Sequence, residues 1–188
     1  MAEEIATGGR YVELSPPAPR TTAGTVEVWE FFWYGDPHSY AIEPTVRRWA
    51  GRQTGVTFVR VPAPFGGPWD AHARMHFALE ALAHADTGTM RAVYEAVQHD
   101  GKRLTGAEEQ ADFLARLGVD RARYLEVLNS FGVQGQLAAA KAQARRAGVQ
   151  GVPTFLVNGK YRTDLKTAGG AEDLVRVVEG LVAMARTR

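Results

Sequence analysis

At 188 residues the chain has the size of one domain, or of one domain carrying an inserted subdomain, and its 45% hydrophobic and 23% charged residues are the balance of a globular protein able to bury a core. Lys and Arg total 22 against 21 Asp and Glu, a net charge of +1, which excludes a strongly basic nucleic-acid binder and an acidic solvating chain. There are 0 cysteines, so disulfides, thiolate nucleophiles, zinc–thiolate sites and iron–sulfur clusters are excluded together.

Met1-Ala2-Glu3-Glu4 lacks the basic and apolar regions of a secretory signal, so no signal peptide is expected in this chain. Tyr11 to Leu14 alternates as a strand does, and Ser15-Pro16-Pro17-Ala18-Pro19 ends it, since prolines supply no ladder donor. Thr25 to Phe32 is β-branched and aromatic and nearly continuous in apolar residues, which predicts a strand covered on both faces. A turn at Gly35 follows, then a helix with Asp36 as N-cap and Pro37 at the first helical position. Its apolar face is Ala41, Ile42, Val46 and Trp49, and Pro44 is expected to kink it. Val56 to Val61 is a further strand.

From Trp69 to about Arg146 the periodicity is helical throughout. Met75, Leu79 and Leu82 mark one helix. Thr105 and Glu108 have the capping-box spacing for the next, which Gly118 stops. Asp120 caps another, with Tyr124, Leu128 and Phe131 on one side, and Leu137 to Arg146 is expected to be a solvated connecting helix. Val152 to Val157, Asn158-Gly159 and Lys160 to Arg162 predict a hairpin. Leu174, Val178, Leu181 and Val182 share the apolar face of a closing helix. No bilayer-spanning run of roughly 20 apolar residues occurs.

This order, β, β-α-β, helical block, β-β-α, predicts an α/β protein of thioredoxin-like fold with an inserted all-helical subdomain. Residues 1–63 and 147–188 are expected to form the thioredoxin-like domain, and residues 64–146 the insertion. Glu30-Phe31-Phe32-Trp33-Tyr34-Gly35-Asp36-Pro37-His38-Ser39-Tyr40 resembles the active-site segment of the DsbA family of periplasmic thiol oxidases, in which Glu-Phe-Phe leads to Cys-Pro-His-Cys at a helix N-terminus. Gly151 to Phe155 resembles that family's cis-proline loop, and Val157 to Tyr161 its hairpin. Tyr11 to Pro17 and Leu79 to Leu82 fit as well.

The resemblance breaks at the two cysteines, whose positions hold Asp36 and Ser39. Exchange requires a thiolate that attacks or leaves sulfur, and neither replacement supplies one. Asp36 puts a fixed negative charge where the family has its thiolate, at a helix N-terminus that favours anions. Glu30 matches the family's acidic residue beneath the site, and a coupled titration of Glu30 with Asp36 is expected. The family active-site positions Asp36, Pro37, His38 and Ser39, with the supporting acid Glu30, thus hold no intact catalytic set. Trp33, Tyr34, Tyr40, Val152, Pro153 and Thr154 are the expected substrate-binding residues, a cis bond before Pro153 exposing backbone for strand addition.

The resemblance implies a redox-inactive binder of extended or unfolded polypeptides in the periplasm, a monomer without cofactor, metal or nucleic acid, related to proteins that meet a membrane redox partner. Two alternatives stand beside it. Kappa-class glutathione transferases look similar at this turn, but Asp36 would repel a glutathione thiolate. An inactivated variant of a disulfide oxidoreductase is the other. Asp36, His38 and Ser39 cannot form a hydrolytic triad, because neighbouring helical positions diverge by about 100°. Asp70, His72 and His76 include an i, i+4 histidine pair but no third strong ligand, and are expected to be polar residues on a helix. Trp29, Trp33, Trp49 and Trp69 are expected in the core and in groove walls, and Lys141, Arg145 and Arg146 on a solvated face.

Overall fold

The structure, a computed structural model, describes residues 8–187, and Met1 to Glu4 lie outside them. Among the described residues, two compact units divide the chain: residues 8–32, 38–61 and 143–187 form one, and residues 33–37 and 62–142 the other.

The first unit is built on a five-stranded sheet in the order β1-β5-β4-β2-β3. Its strands are β1 (Val12–Glu13), β2 (Val26–Phe32), β3 (Val56–Pro62), β4 (Thr154–Val157) and β5 (Tyr161–Asp164). All 7 residues of β2 are buried, as its apolar continuity predicts for a strand flanked on both sides and covered on both faces. β2 pairs antiparallel with β4, Glu30 opposite Phe155 and Phe31 opposite Thr154. β4 pairs antiparallel with β5, and β5 with β1. Asn158 and Gly159, both at positive φ (51° and 66°), are the central residues of the turn between β4 and β5, which the Lys160 amide closes on the Val157 carbonyl at 3.0 Å. Only glycine fits at 159, since a Cβ there would sit 2.1 Å from the Ala18 carbonyl oxygen.

Helix α1 (Pro37–Gly51) connects β2 to β3 and contains Pro44. Its Ile42, Val46 and Trp49 pack with Val26 and Val28 of β2 and with Leu174, Val178, Leu181 and Val182 of the closing helix. That closing helix, α8 (Ala171–Arg186), follows the one-turn α7 (Leu165–Ala168), which Asp164 caps through the Thr167 amide. Each of those four α8 side chains is at most 2% exposed, so the stripe predicted by spacing is the face that folding buries.

The second unit is helical: α2 (Gly67–Ala81), α3 (Thr87–Gln98), α4 (Ala107–Ala115), α5 (Arg121–Leu128) and the first part of α6 (Phe131–Arg146). Met75, Leu79, Val93, Tyr94, Leu104, Leu114 and Tyr124 are fully buried. Gln110 ties this core together, its amide donating to the Leu104 carbonyl and accepting from the Tyr124 hydroxyl at 2.7 Å.

Three expectations change here. The capping box of Thr105 and Glu108 does not form: α4 begins one residue later with Gly106 as N-cap. Glu109 reaches back instead, accepting from the Leu104 and Thr105 amides at 3.0 and 3.3 Å. Phe131 does not share the buried face of Tyr124 and Leu128. It opens α6 and is 92% exposed, because Asn129 and Ser130 break the helical phase between them. The connecting helix starts at Phe131 rather than Leu137 and buries Val133, Ala140 and Ala144.

Candidate functional site

In the second unit, the segment 33–37 forms a tight turn in which the Asp36 amide donates to the Trp33 carbonyl at 3.0 Å. Gly35 is required there: a Cβ would lie 2.3 Å from Cζ2 of the Trp33 ring, which folds back over the glycine. The Trp33 indole stacks on Trp69 with centroids 4.0 Å apart and an interplanar angle of 15°. Phe65, 41% exposed, lies beyond the pair, its ring 5.1 Å from Trp69 and tilted 47° to it. Trp33, Asp36 and Trp69 are half-buried.

Tyr34, expected on a binding surface, is instead fully buried. Its ring meets Tyr94 edge-on at 4.9 Å, its hydroxyl pairs with His76 Nδ1 at 2.9 Å, and its carbonyl accepts from Gln98 Nε2 at 2.8 Å. A polar-tipped ring buries without cost where its hydroxyl has a partner, and it then anchors the turn from beneath instead of meeting ligand.

Asp70, His72 and His76 go to separate partners. Asp70 takes Lys141 and the Gly66 amide, while His72 Nε2 bonds the Arg103 carbonyl at 2.8 Å. His76 lies between Tyr34 and Glu80. Burial holds His72 below the ordinary histidine pKa, and its Nδ1 has no hydrogen-bond partner.

In the first unit, His38 is exposed, Ser39 fully buried and Tyr40 half-buried on the first turn of α1. Glu30, 2% exposed, pairs with Arg60 Nε at 3.1 Å. The same guanidinium reaches Glu43 at 3.4 Å, and Glu43 also meets Arg47 at 3.5 Å. Desolvation raises the Glu30 pKa, and the attraction of Arg60 only partly opposes it. The second carboxylate acting on Glu30 is Glu43, where the sequence had pointed to Asp36. Arg60 and Glu43 were not anticipated, yet both leave a trace: Arg60 interrupts an apolar strand, and Glu43 falls inside the apolar stripe of α1.

The Val152–Pro153 bond is cis. Val152 is half-buried, while Pro153 and Thr154 are buried, the Thr154 hydroxyl donating to the Gly151 carbonyl at 2.7 Å. The side chains of Pro153 and Thr154 therefore shape the loop rather than its surface.

Residues 27–181 match the DSBA-like thioredoxin domain family. The chain belongs to the DsbA family. It is 46% identical over 182 residues to the thiol:disulfide interchange protein DsbA of Pseudomonas syringae pv. tomato, covering 96% of this chain and 85% of that protein. It is 44% identical to the DsbA of Pseudomonas aeruginosa, covering 99% and 88%. The crystal structure of Pseudomonas aeruginosa DsbA superposes with a TM-score of 0.92 at 45% identity, covering 96% of this chain and 94% of that one. That of the Xylella fastidiosa oxidoreductase DsbA gives 0.88 at 34% identity, covering 95% and 96%. Within this family the chain is set apart by its lack of any thiol, Asp36 and Ser39 standing at the turn and on the first turn of α1. Thiol–disulfide exchange proceeds by thiolate attack on sulfur, and these side chains provide no such nucleophile.

Proposed function

We propose that this protein is a DsbA-family member that binds extended or unfolded polypeptides without forming mixed disulfides, in the periplasm. The observation that carries the proposal is the match of residues 27–181 to the family in a chain whose turn bears Asp36 where the resemblance places a cysteine. A scaffold kept without its sulfur retains what does not depend on sulfur, which is surface for non-covalent recognition. In the helical unit Trp33 and Phe65, and in the sheet unit Tyr40 and Val152, each supply apolar surface of the kind that extended chains occupy. The family's location supports the periplasm.

The test is an amide-resolved NMR titration with a cysteine-free unfolded polypeptide and, separately, with glutathione. The polypeptide is expected to shift the amides of Trp33 to Tyr40 and Val152 to Phe155, and glutathione to leave them unmoved. Shifts confined to other helices, or caused by glutathione alone, would overturn the proposal.

A further inference from the structure

The first unit carries a cavity of about 420 Å³, lined by residues 14–19 of the loop after β1 and by Arg146 at the end of α6. That is a volume typical of small-molecule sites. The loop is fixed before any ligand arrives: the Leu14 amide donates to the Lys160 carbonyl and the Ala18 amide to the Gly159 carbonyl, each at 2.7 Å, and Pro16, Pro17 and Pro19 restrict the backbone around them. The same features strip the wall of donors. Prolines have no N–H and those two amides are engaged, so along the loop only Ser15 is left with donors to offer. Of the described residues that line the cavity, Arg146 alone is charged. It is exposed, and among the described residues it has no hydrogen-bond or ion-pair partner. Helix capping does not use it, because Arg162 takes the Ala147 and Gly148 carbonyls that follow α6, at 2.8 and 2.7 Å. Glu13, just before the loop, is held by Lys160 at 2.9 Å.

We propose that this cavity binds a small carboxylic acid with an apolar body, the carboxylate on Arg146 and the body against Leu14, Pro16, Pro17 and Pro19. A guanidinium suits a carboxylate because its parallel N–H donors can meet both oxygens. Leucine and pyrrolidine rings offer apolar surface with no donor to satisfy, which suits hydrocarbon. A polypeptide segment is the poorer occupant, because its own carbonyls would find few donors on this wall. A wall already fixed costs little ordering when a ligand arrives, which matters most for a small one. The site shares no residue with the polypeptide-binding surfaces above and stands or falls without them.

The test is an amide-resolved NMR titration of the whole chain with phenylpropionate, its neutral amide phenylpropionamide, acetate, and N-acetyl-alanyl-phenylalanine as a mimic of a polypeptide C-terminus. Phenylpropionate is expected to shift the amides of Leu14, Ser15 and Ala18 and the side-chain N–H of Arg146, to bind about fivefold more tightly than the amide, and to lose that lead in high salt. Acetate, which lacks the apolar body, is expected not to saturate, and the dipeptide to bind more weakly than phenylpropionate. Arg146→Gln, checked for native circular dichroism, is expected to bring phenylpropionate down to the level of the amide while leaving the amide within about twofold. Equal binding of acid and amide, a preference that survives Arg146→Gln, or acetate matching phenylpropionate overturns the site. Tighter binding of the dipeptide overturns the choice of occupant and gives the cavity to polypeptide C-termini. No saturable shift at these amides up to about 20 mM phenylpropionate overturns the proposal outright.

Discussion

Glu30 shows how one buried charge sets the pH response of a fold. Its folded-state pKa stands above the ordinary carboxylate value of 4.5 because removal from water outweighs the attraction of Arg60. Between those two values the folded chain still holds a proton that the unfolded chain has lost. The contribution of Glu30 to stability therefore falls as pH rises through that window and is level above it. Glu30→Gln fixes the neutral form. Urea unfolding is expected to find it more stable than the parent at pH 8, with the difference closing as the pH approaches about 4. A variant less stable than the parent at pH 8 would mean that the ion pair with Arg60 outweighs the desolvation. Glu27 is the contrasting case: also buried, it accepts from the amides and hydroxyls of Thr21 and Thr22 and organises the loop before β2.

At the scale of the element, the start of α4 separates what spacing says from what the chain does. Thr105 has the right distance to Glu108 for a capping box, but the carboxylate that closes this helix start is Glu109. Glu109→Ala is expected to cost about 1–2 kcal/mol in chemical denaturation, since two amides lose their acceptor. Thr105→Ala is expected to stay within about 0.5 kcal/mol. Asp120→Ala, at a cap that the sequence placed correctly, is expected to cost about 1 kcal/mol, because its carboxylate holds the Arg123 amide at 2.7 Å. A loss at Thr105 as large as at Glu109 would restore the box.

The same comparison shows which signals are legible. Strand β2, the Asn158-Gly159 turn and the stripe of α8 follow from short-range chemistry and could be read directly. Tyr34 could not. Its neighbours in sequence form the turn, but what buries it is His76 and Tyr94, 42 and 60 positions away, and no local pattern announces such a partner. Phe131 fails for the opposite reason: a helical phase carried across Asn129 and Ser130 assigns it to a face that the chain has already left. The Glu30–Arg60–Glu43 cluster was half legible. Each charge stands out against apolar periodicity, but that the three meet is a property of the sheet and α1 together.

For the whole molecule, DsbA-family membership and the absence of cysteine define what the scaffold can and cannot do. If the scaffold is intact apart from its sulfur, then Asp36→Cys with Ser39→Cys supplies the missing chemistry. With its two introduced thiols first oxidised to a disulfide, the double variant is expected to oxidise a dithiol peptide mole for mole, its own disulfide being reduced, where the parent leaves the peptide unchanged; the first thiolate is favoured at the N-terminus of α1. No exchange by a folded double variant would mean that the surroundings of the turn have diverged along with the cysteines.

The central claim is that recognition persists without thiol chemistry, and calorimetric titration of the parent protein with an unfolded, cysteine-free polypeptide tests it most directly. The account predicts saturable binding in the micromolar range, about −8 kcal/mol at 1 μM, unaffected by added reductant. The absence of saturable heat at polypeptide concentrations up to about 1 mM would contradict it.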